Sequence, residues 1–203
     1  MKLSIKKVKD LRIIRGEETR RSLIQATISA VAQYGLSATT LNAVAEIAGV
    51  SRTLIGFHFS SKEQLLDAVL ENALDTYDKS LKAYLAEISS EPLAQISGHI
   101  SHDMHFAATH SDLLSLWFAN WGEVRATNKY RLSLLPIDHK YRNELADNLS
   151  KILHDEKEAM YRAVMLDSFV YGVWLECHID PDSYNLNDYL RIAESLTQLA
   201  TKS

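Results

Sequence analysis

The sequence predicts an all-α chain, and three observations carry that expectation. Gly (7) and Pro (3) are scarce among 203 residues, so little of the chain is punctuated by turns. Apolar residues in successive segments recur at i, i+3, i+4 and i+7, the period of an amphipathic helix and not of a strand. The breaks between segments carry helix stops and caps, such as Gly35, Thr40, Gly49 and Ser51. Hydrophobic residues make up 46% and charged residues 24%, ordinary values for a soluble globular chain of one or two domains.

Residues 1–14 show no clear period and are expected to form a flexible arm. The first helix is expected from about Glu17 to Tyr34, with Ile24, Ile28, Val31 and Ala32 on one stripe and Gly35 as its stop. Thr40 caps a second, two-turn helix through Leu41, Val44, Ala45 and Ala48. Gly49 then supplies a left-handed turn, and Ser51 caps a third short helix. Two short helices joined by such a turn spell helix-turn-helix. In the third helix Ile55 and Phe59 lie on one side and pack inward. Arg52, Thr53, Gly56 and Phe57 then lie largely opposite, a set of side chains able to enter a major groove. Ser61-Lys62-Glu63-Gln64 fits a capping box, with Gln64 reaching back, and starts a helix running to about Ile88. Further helices are expected over Pro92–Thr109, Asp112–Arg125, Lys129–Leu153 (broken or kinked at Pro136), Asp155–Ile179 and Leu186–Thr201.

The net charge of −4 conceals an asymmetry: residues 1–63 carry ten Lys/Arg against five Asp/Glu, and the remainder twelve against 21. A basic head on an acidic body suits a nucleic-acid module joined to a second domain. The single Cys177 excludes an intrachain disulfide framework and a Cys-based zinc cluster. No apolar run approaches the roughly 18 residues of a membrane span. The N-terminal "MKLSIKKVKDLRIIRG" is a poor secretory signal, so a cytoplasmic location is the default expectation.

Thr39 to Val69, "TTLNAVAEIAGVSRTLIGFHFSSKEQLLDAV", resembles the DNA-binding region of the TetR family of bacterial transcriptional regulators. The pattern is Thr, a short helix with Ile-Ala, Gly-Val-Ser, aromatic-His-Phe and Ser-Lys-Glu, and the resemblance covers roughly residues 17–70. Gly56 stands where most members carry Tyr, and a small residue there also occurs in the choline-responsive BetI branch. Leu113 to Arg125, "LLSLWFANWGEVR", and Val170 to Asp180, "VYGVWLECHID", resemble segments of that branch, with Tyr171 and Glu176 where an acid and a base are commoner. The resemblance implies an N-terminal helix-turn-helix DNA-binding domain with its arm (1–63) and a helical ligand-binding and dimerisation domain (64–203). It also implies a homodimer placing two recognition helices on a near-palindromic double-stranded DNA operator, with the last two helices pairing across the dimer. Val164, Phe169, Val173, Leu190, Ala193, Leu196 and Leu199 supply apolar stripes for that pairing, although such stripes also serve as intrachain core.

Within this scheme Arg52 is the candidate for guanine O6 and N7, Thr53 and Leu54 for thymine methyls or neighbouring edges, and Phe57 for a sugar or methyl. Gly56 supplies no side chain to the bases. Thr40, Ser51, His58 and Lys62 are the phosphate candidates. His58 could equally cap or edge the core, and Lys62 could be merely solvated. In the body, Trp117 and Trp121 could flank a cavity closed by Tyr171 and Trp174, with Glu123, Asp167 or Glu176 as its carboxylate. Such a site suits choline or another quaternary ammonium as effector, although a Trp pair at helical spacing also serves as plain core. His99, His102 and His105 drift round their helix without a clear fourth ligand, so a solvated face is expected and no metal. No cofactor is expected beyond the effector. The sequence holds no phosphate loop, nucleophile motif or paired catalytic carboxylates, so an enzyme is not expected. The expected function is a ligand-released repressor. The alternative is a TetR-type regulator of an efflux or catabolic system sensing a different bulky hydrophobic ligand.

Overall fold

A computed structural model describes residues 2–123 and 135–202, with side chains described over 13–123 and 139–202. Nine α-helices and one short 3-10 turn occur among the described residues, with no strand. They form two compact units, Met1–Asp75 and Thr76–Ser203. Sequence reasoning set the boundary at 63/64, the start of the fourth helix, whereas the units divide within that helix.

In the first unit, α1 (Lys2–Tyr34) begins far ahead of the expected Glu17. The expected flexible arm is helical because no Pro interrupts it and its Lys, Leu, Arg and Ile residues tolerate helix well. An apolar stripe is needed only where a helix buries a face, and among the described side chains of α1 that is its second half, Ile13 and Ile14 being exposed. Leu23, Ile24, Ile28, Ala30 and Val31 are buried there. The buried Thr27 hydroxyl donates to Leu23 O at 2.7 Å. Gly35, at φ 78°, ends the helix.

The helices α2 (Leu41–Ala48) and α3 (Arg52–His58) are each capped by a hydroxyl. Thr40 Oγ1 accepts from Ala43 N at 3.1 Å, and Ser51 Oγ accepts from Leu54 N at 3.3 Å. Between them Gly49 adopts φ 66°, and Val50 N–H donates to Ala45 O at 2.9 Å, closing the turn. Helix α4 (Lys62–Ala86) follows. Ser61 Oγ caps it through Gln64 N at 3.2 Å. Gln64 reaches back one residue beyond the expected cap and accepts from Ser60 N at 2.6 Å. We expect Ser51→Ala to lower the urea-unfolding free energy of this unit by about 1 kcal/mol, and Ser51→Gly by only a few tenths. Equal losses would mean that the Ser51 hydroxyl does not carry the cap.

The second unit is built round α5 (Pro92–Thr109), which packs on α6 (Ser111–Gly122), α7 (Leu135–Leu153), α8 (Glu156–Ile179) and α9 (Leu186–Ala200). Pro92 sits in the first turn of α5, where its missing N–H costs nothing. Pro136 falls in the first described turn of α7. The remainder of that expected helix, 129–134, lies outside the described residues, as do 124 and 125 of the expected sixth. Asp155 and Asn185 cap α8 and α9. Val173 and Ala193, two residues of the expected pairing stripes, are buried within the protomer, while Val164 and Leu199 stay exposed.

The solvated face expected for His99, His102 and His105 is a correction: only His105 is exposed. His99 and His102 are buried because α5 is enclosed on several sides, and their polar atoms are met by groups on α4.

Candidate nucleic-acid interface and aromatic site

In the first unit, α3 carries the candidate interface. Ile55 is fully buried and Phe59 nearly so, which fixes the rotation of the helix. Arg52, Thr53, Gly56 and Phe57 consequently face solvent, and Phe57 is 80% exposed. A large ring left in water on a seven-residue helix gains nothing for the fold and suits contact with something outside it. Leu54 and His58 are half-buried at the flanks. Thr40 and Ser51, both exposed, place hydroxyls at the starts of α2 and α3, where backbone N–H groups face outward and favour an anion. Lys62 is half-buried and its Nζ donates to Leu36 O at 3.3 Å, tying α4 to the loop after α1. The Arg20 guanidinium lies 5.2 Å from the Phe59 ring centroid, bracing the end of α3.

In the second unit the structure gathers four of the six expected ligand residues into one chain of ring contacts. Trp117 and Trp174 stack with centroids 5.1 Å apart, Tyr171 meets Trp174 edge-on at 6.1 Å, and Trp121 meets Tyr171 at 5.2 Å. Glu123 is the C-terminal cap residue of α6. Asp167 is buried and held by Arg142, whose Nη2 and Nε lie 2.6 and 2.7 Å from Oδ2. Burial pushes its carboxyl above the usual range, and the guanidinium only partly offsets this. A carboxylate already paired in this way is a poor partner for an incoming cation. Glu176 is exposed and accepts from the Tyr189 hydroxyl.

Sequence reasoning missed the centre of this site. Tyr77 on α4 touches five rings, with centroids of Tyr141 at 5.0, Phe106 at 5.2, His102 at 5.4, Trp117 at 5.8 and Trp174 at 5.9 Å. Its hydroxyl donates to Asp103 Oδ1 at 2.6 Å. Burial, then the Asp103 charge, holds the Tyr77 hydroxyl well above its ordinary pKa, so it stays a donor. Asp103 also meets His102 Nδ1 at 3.2 Å, and its backbone carbonyl accepts from Trp174 Nε1 at 3.0 Å. Burial pushes His99 towards its neutral form. Lys140 and Lys82 hold the Asp78 carboxyl down to about 2, and Tyr141 donates to it at 3.1 Å. Trp117 Nε1 is buried with no partner among the described residues. A signal was present in the sequence: Ala73, Tyr77 and Leu81 follow i, i+4 spacing, as do His99 and Asp103. Among the described residues no group of His, Cys, Asp or Glu could hold a metal ion. No helix among them is long and apolar enough to cross a membrane.

Residues 23–69 match the pattern of bacterial regulatory proteins of the tetR family. The HTH-type transcriptional regulator BetI of Paraburkholderia phymatum is 26% identical over 187 residues, covering 90% of this chain and 93% of that relative. The protein of the same description from Pseudomonas aeruginosa PAO1 is 26% identical over 180 residues, covering 86% and 88%. Among solved structures, a transcriptional regulator of Rhodococcus sp. Rha1 superposes with TM-score 0.75 at 21% identity, covering 89% of this chain and 95% of that one. A regulator from Pseudomonas aeruginosa PAO1 gives TM-score 0.76 at 20% identity, covering 91% of each. These structures share the fold.

Proposed function

The chain belongs to the TetR family of bacterial transcriptional regulators, close to BetI, and from that premise we propose a homodimeric repressor that quaternary ammonium compounds such as choline release from a near-palindromic operator. It is a DNA-binding regulator and not an enzyme. The observation that carries the reading is the presentation of α3. Arg52, Thr53 and Phe57 point outward from a helix whose rotation Ile55 and Phe59 lock. One such helix reaches only a few base pairs, so useful affinity needs a second copy one helical turn along the duplex.

The apolar surface of the second unit supports the dimer. On α8, Tyr161, Met165, Leu175 and Ile179 are exposed and recur with Ser168 and Gly172 on one stripe of three- and four-residue steps. Ile192 and Leu199 are exposed on α9. Such a stripe is the seam of a helical bundle in which a second copy supplies the missing helices. The effector assignment draws on the linked rings of Trp117, Trp121, Tyr171 and Trp174, whose faces attract organic cations. Release of DNA follows if choline binds better to the protein free than to the protein on its operator.

The test is fluorescence anisotropy on an operator selected from random duplexes. Affinity is expected to fall linearly in log–log plots as salt rises, the mark of phosphate neutralisation. Choline at millimolar levels or below is expected to release the duplex, while its uncharged isostere 3,3-dimethyl-1-butanol leaves it bound. Salt-independent binding would sink the DNA assignment. Equal action by both compounds, or by neither, would sink the choline assignment alone.

A further inference from the structure

We propose that Tyr77 is a built-in occupant of an organic-cation cage walled by His102, Phe106, Trp117, Tyr141 and Trp174 and floored by Asp103, and that an effector cation enters by displacing it. The inference rests on the reading of the second unit as an effector domain and adds which side chain the effector competes with. All five wall rings stand at 72–81° to the Tyr77 ring. Such edge-to-face contacts set a positive ring edge against a negative face, and the hydroxyl donates a hydrogen bond to Asp103 Oδ1 at 2.6 Å. An N-methylated ammonium could take up a comparable pair of interactions, positive methyl groups on the ring faces open to it and net charge at a carboxylate.

The charges nearby leave this role to Asp103. Arg142 is bonded to Asp167, and Lys140 is bonded to Asp78 at 2.8 Å. His99, facing Asp103 at 3.7 Å from the same helix, is driven towards neutrality by burial. Asp103 is therefore a buried carboxyl without a Lys or Arg partner among the described residues, met by the Tyr77 hydroxyl at 2.6 Å and by His102 Nδ1 at 3.2 Å. The buried Trp117 Nε1, on one of the wall rings, has no acceptor among the described residues. It selects a cation that also carries an oxygen, such as the hydroxyl of choline, over a bare tetraalkylammonium. The internal phenol lowers the apparent affinity for such a cation by the fraction of time the cage is open.

Isothermal titration of the full-length protein tests this. Choline and 3,3-dimethyl-1-butanol are titrated into wild type, Tyr77→Phe, Tyr77→Ala and Tyr77→Phe/Asp103→Asn, each checked for helicity by circular dichroism. Tyr77→Phe keeps the ring and loses the bond to a charged acceptor, so choline is expected to bind about tenfold tighter than to wild type. Tyr77→Ala binds at least as tightly as Tyr77→Phe. Adding Asp103→Asn abolishes the gain, and the uncharged isostere shows none. Unchanged choline affinity in both single variants overturns the cage, as does an equal gain for the isostere, which would mark a merely apolar void. Absence of choline binding in every protein also overturns it, while leaving DNA binding intact as a property of the first unit. Binding by the Tyr77 variants alone would uphold the cage and reject choline as the native effector.

Discussion

Arg52→Ala is expected to lower operator affinity by roughly thirtyfold to twenty-thousandfold. A bidentate arginine on guanine discriminates by about 1–3 kcal/mol, the proposed homodimer would lose two of them, and each 1.4 kcal/mol is about a factor of ten. The loss falls on specific sites. On random duplex the variant keeps most of its affinity, because it sheds one phosphate-attracting charge per protomer and no fold. Arg52 is exposed at the first position of α3, and alanine is the best helix former, so thermal stability stays within about 0.5 kcal/mol of wild type. Selection of sites by the variant is the sharper readout: one position in each half-site should lose its guanine preference while the others keep theirs. A uniform loss across all sequences would move Arg52 from base reading to phosphate contact.

Lys62 makes the contrast. Its ammonium already gives one proton to Leu36 O, so any phosphate contact uses the remaining donors, and its removal touches the loop after α1 as well as the DNA. The two residues look alike in a list of basic side chains. The exposed start of α3 and the half-buried start of α4 separate them.

The recognition segment was legible because local chemistry dictates it. Gly49 is a glycine where the chain turns left-handed, Ser51 is a hydroxyl where N–H groups need an acceptor, and Ile55 and Phe59 are spaced to bury one side. The same filter missed the first half of α1, because a period argument finds only helices that carry an apolar stripe. It also misread α5. His99, His102 and Asp103 sit at positions a helical period would bury, but their polarity disguised them as surface. What makes their burial tolerable is Tyr77 and Ser80 on α4, more than twenty residues away in sequence. Periodicity reports which face turns inward and not which distant group will satisfy a polar atom there. For the same reason Trp117 and Trp174 could be named while the Tyr77 ring that touches both could not, and Asp167 was read as a free carboxylate although Arg142 holds it.

That last pair sets the largest stability effect expected in the second unit. Arg142→Met should cost about 3 kcal/mol, because it strands the buried Asp167 carboxylate on α8 without a countercharge. Asp167→Asn should cost less, about 1 kcal/mol, since the Arg142 side chain is 28% exposed and can turn to water while the amide oxygen still accepts a hydrogen bond. The pH dependence gives the cause. Burial already raises the folded-state pKa of Asp167 above its ordinary value, with Arg142 pulling the other way. Removing Arg142 raises it further. A carboxyl whose folded pKa lies above its unfolded one binds its proton more readily when folded. Its penalty is therefore fully present above the folded pKa and disappears as pH falls towards the unfolded value near 4. Urea denaturation of wild type and Arg142→Met at pH 7 and pH 5 should show the gap between them narrowing at the lower pH. In Arg142→Met/Asp167→Asn, with no charge left to strand, the gap should be small at both. A gap that stays constant or widens on acidification would mean that Asp167 is not the charge Arg142 neutralises, and would return that carboxylate to the pool available for a cationic ligand.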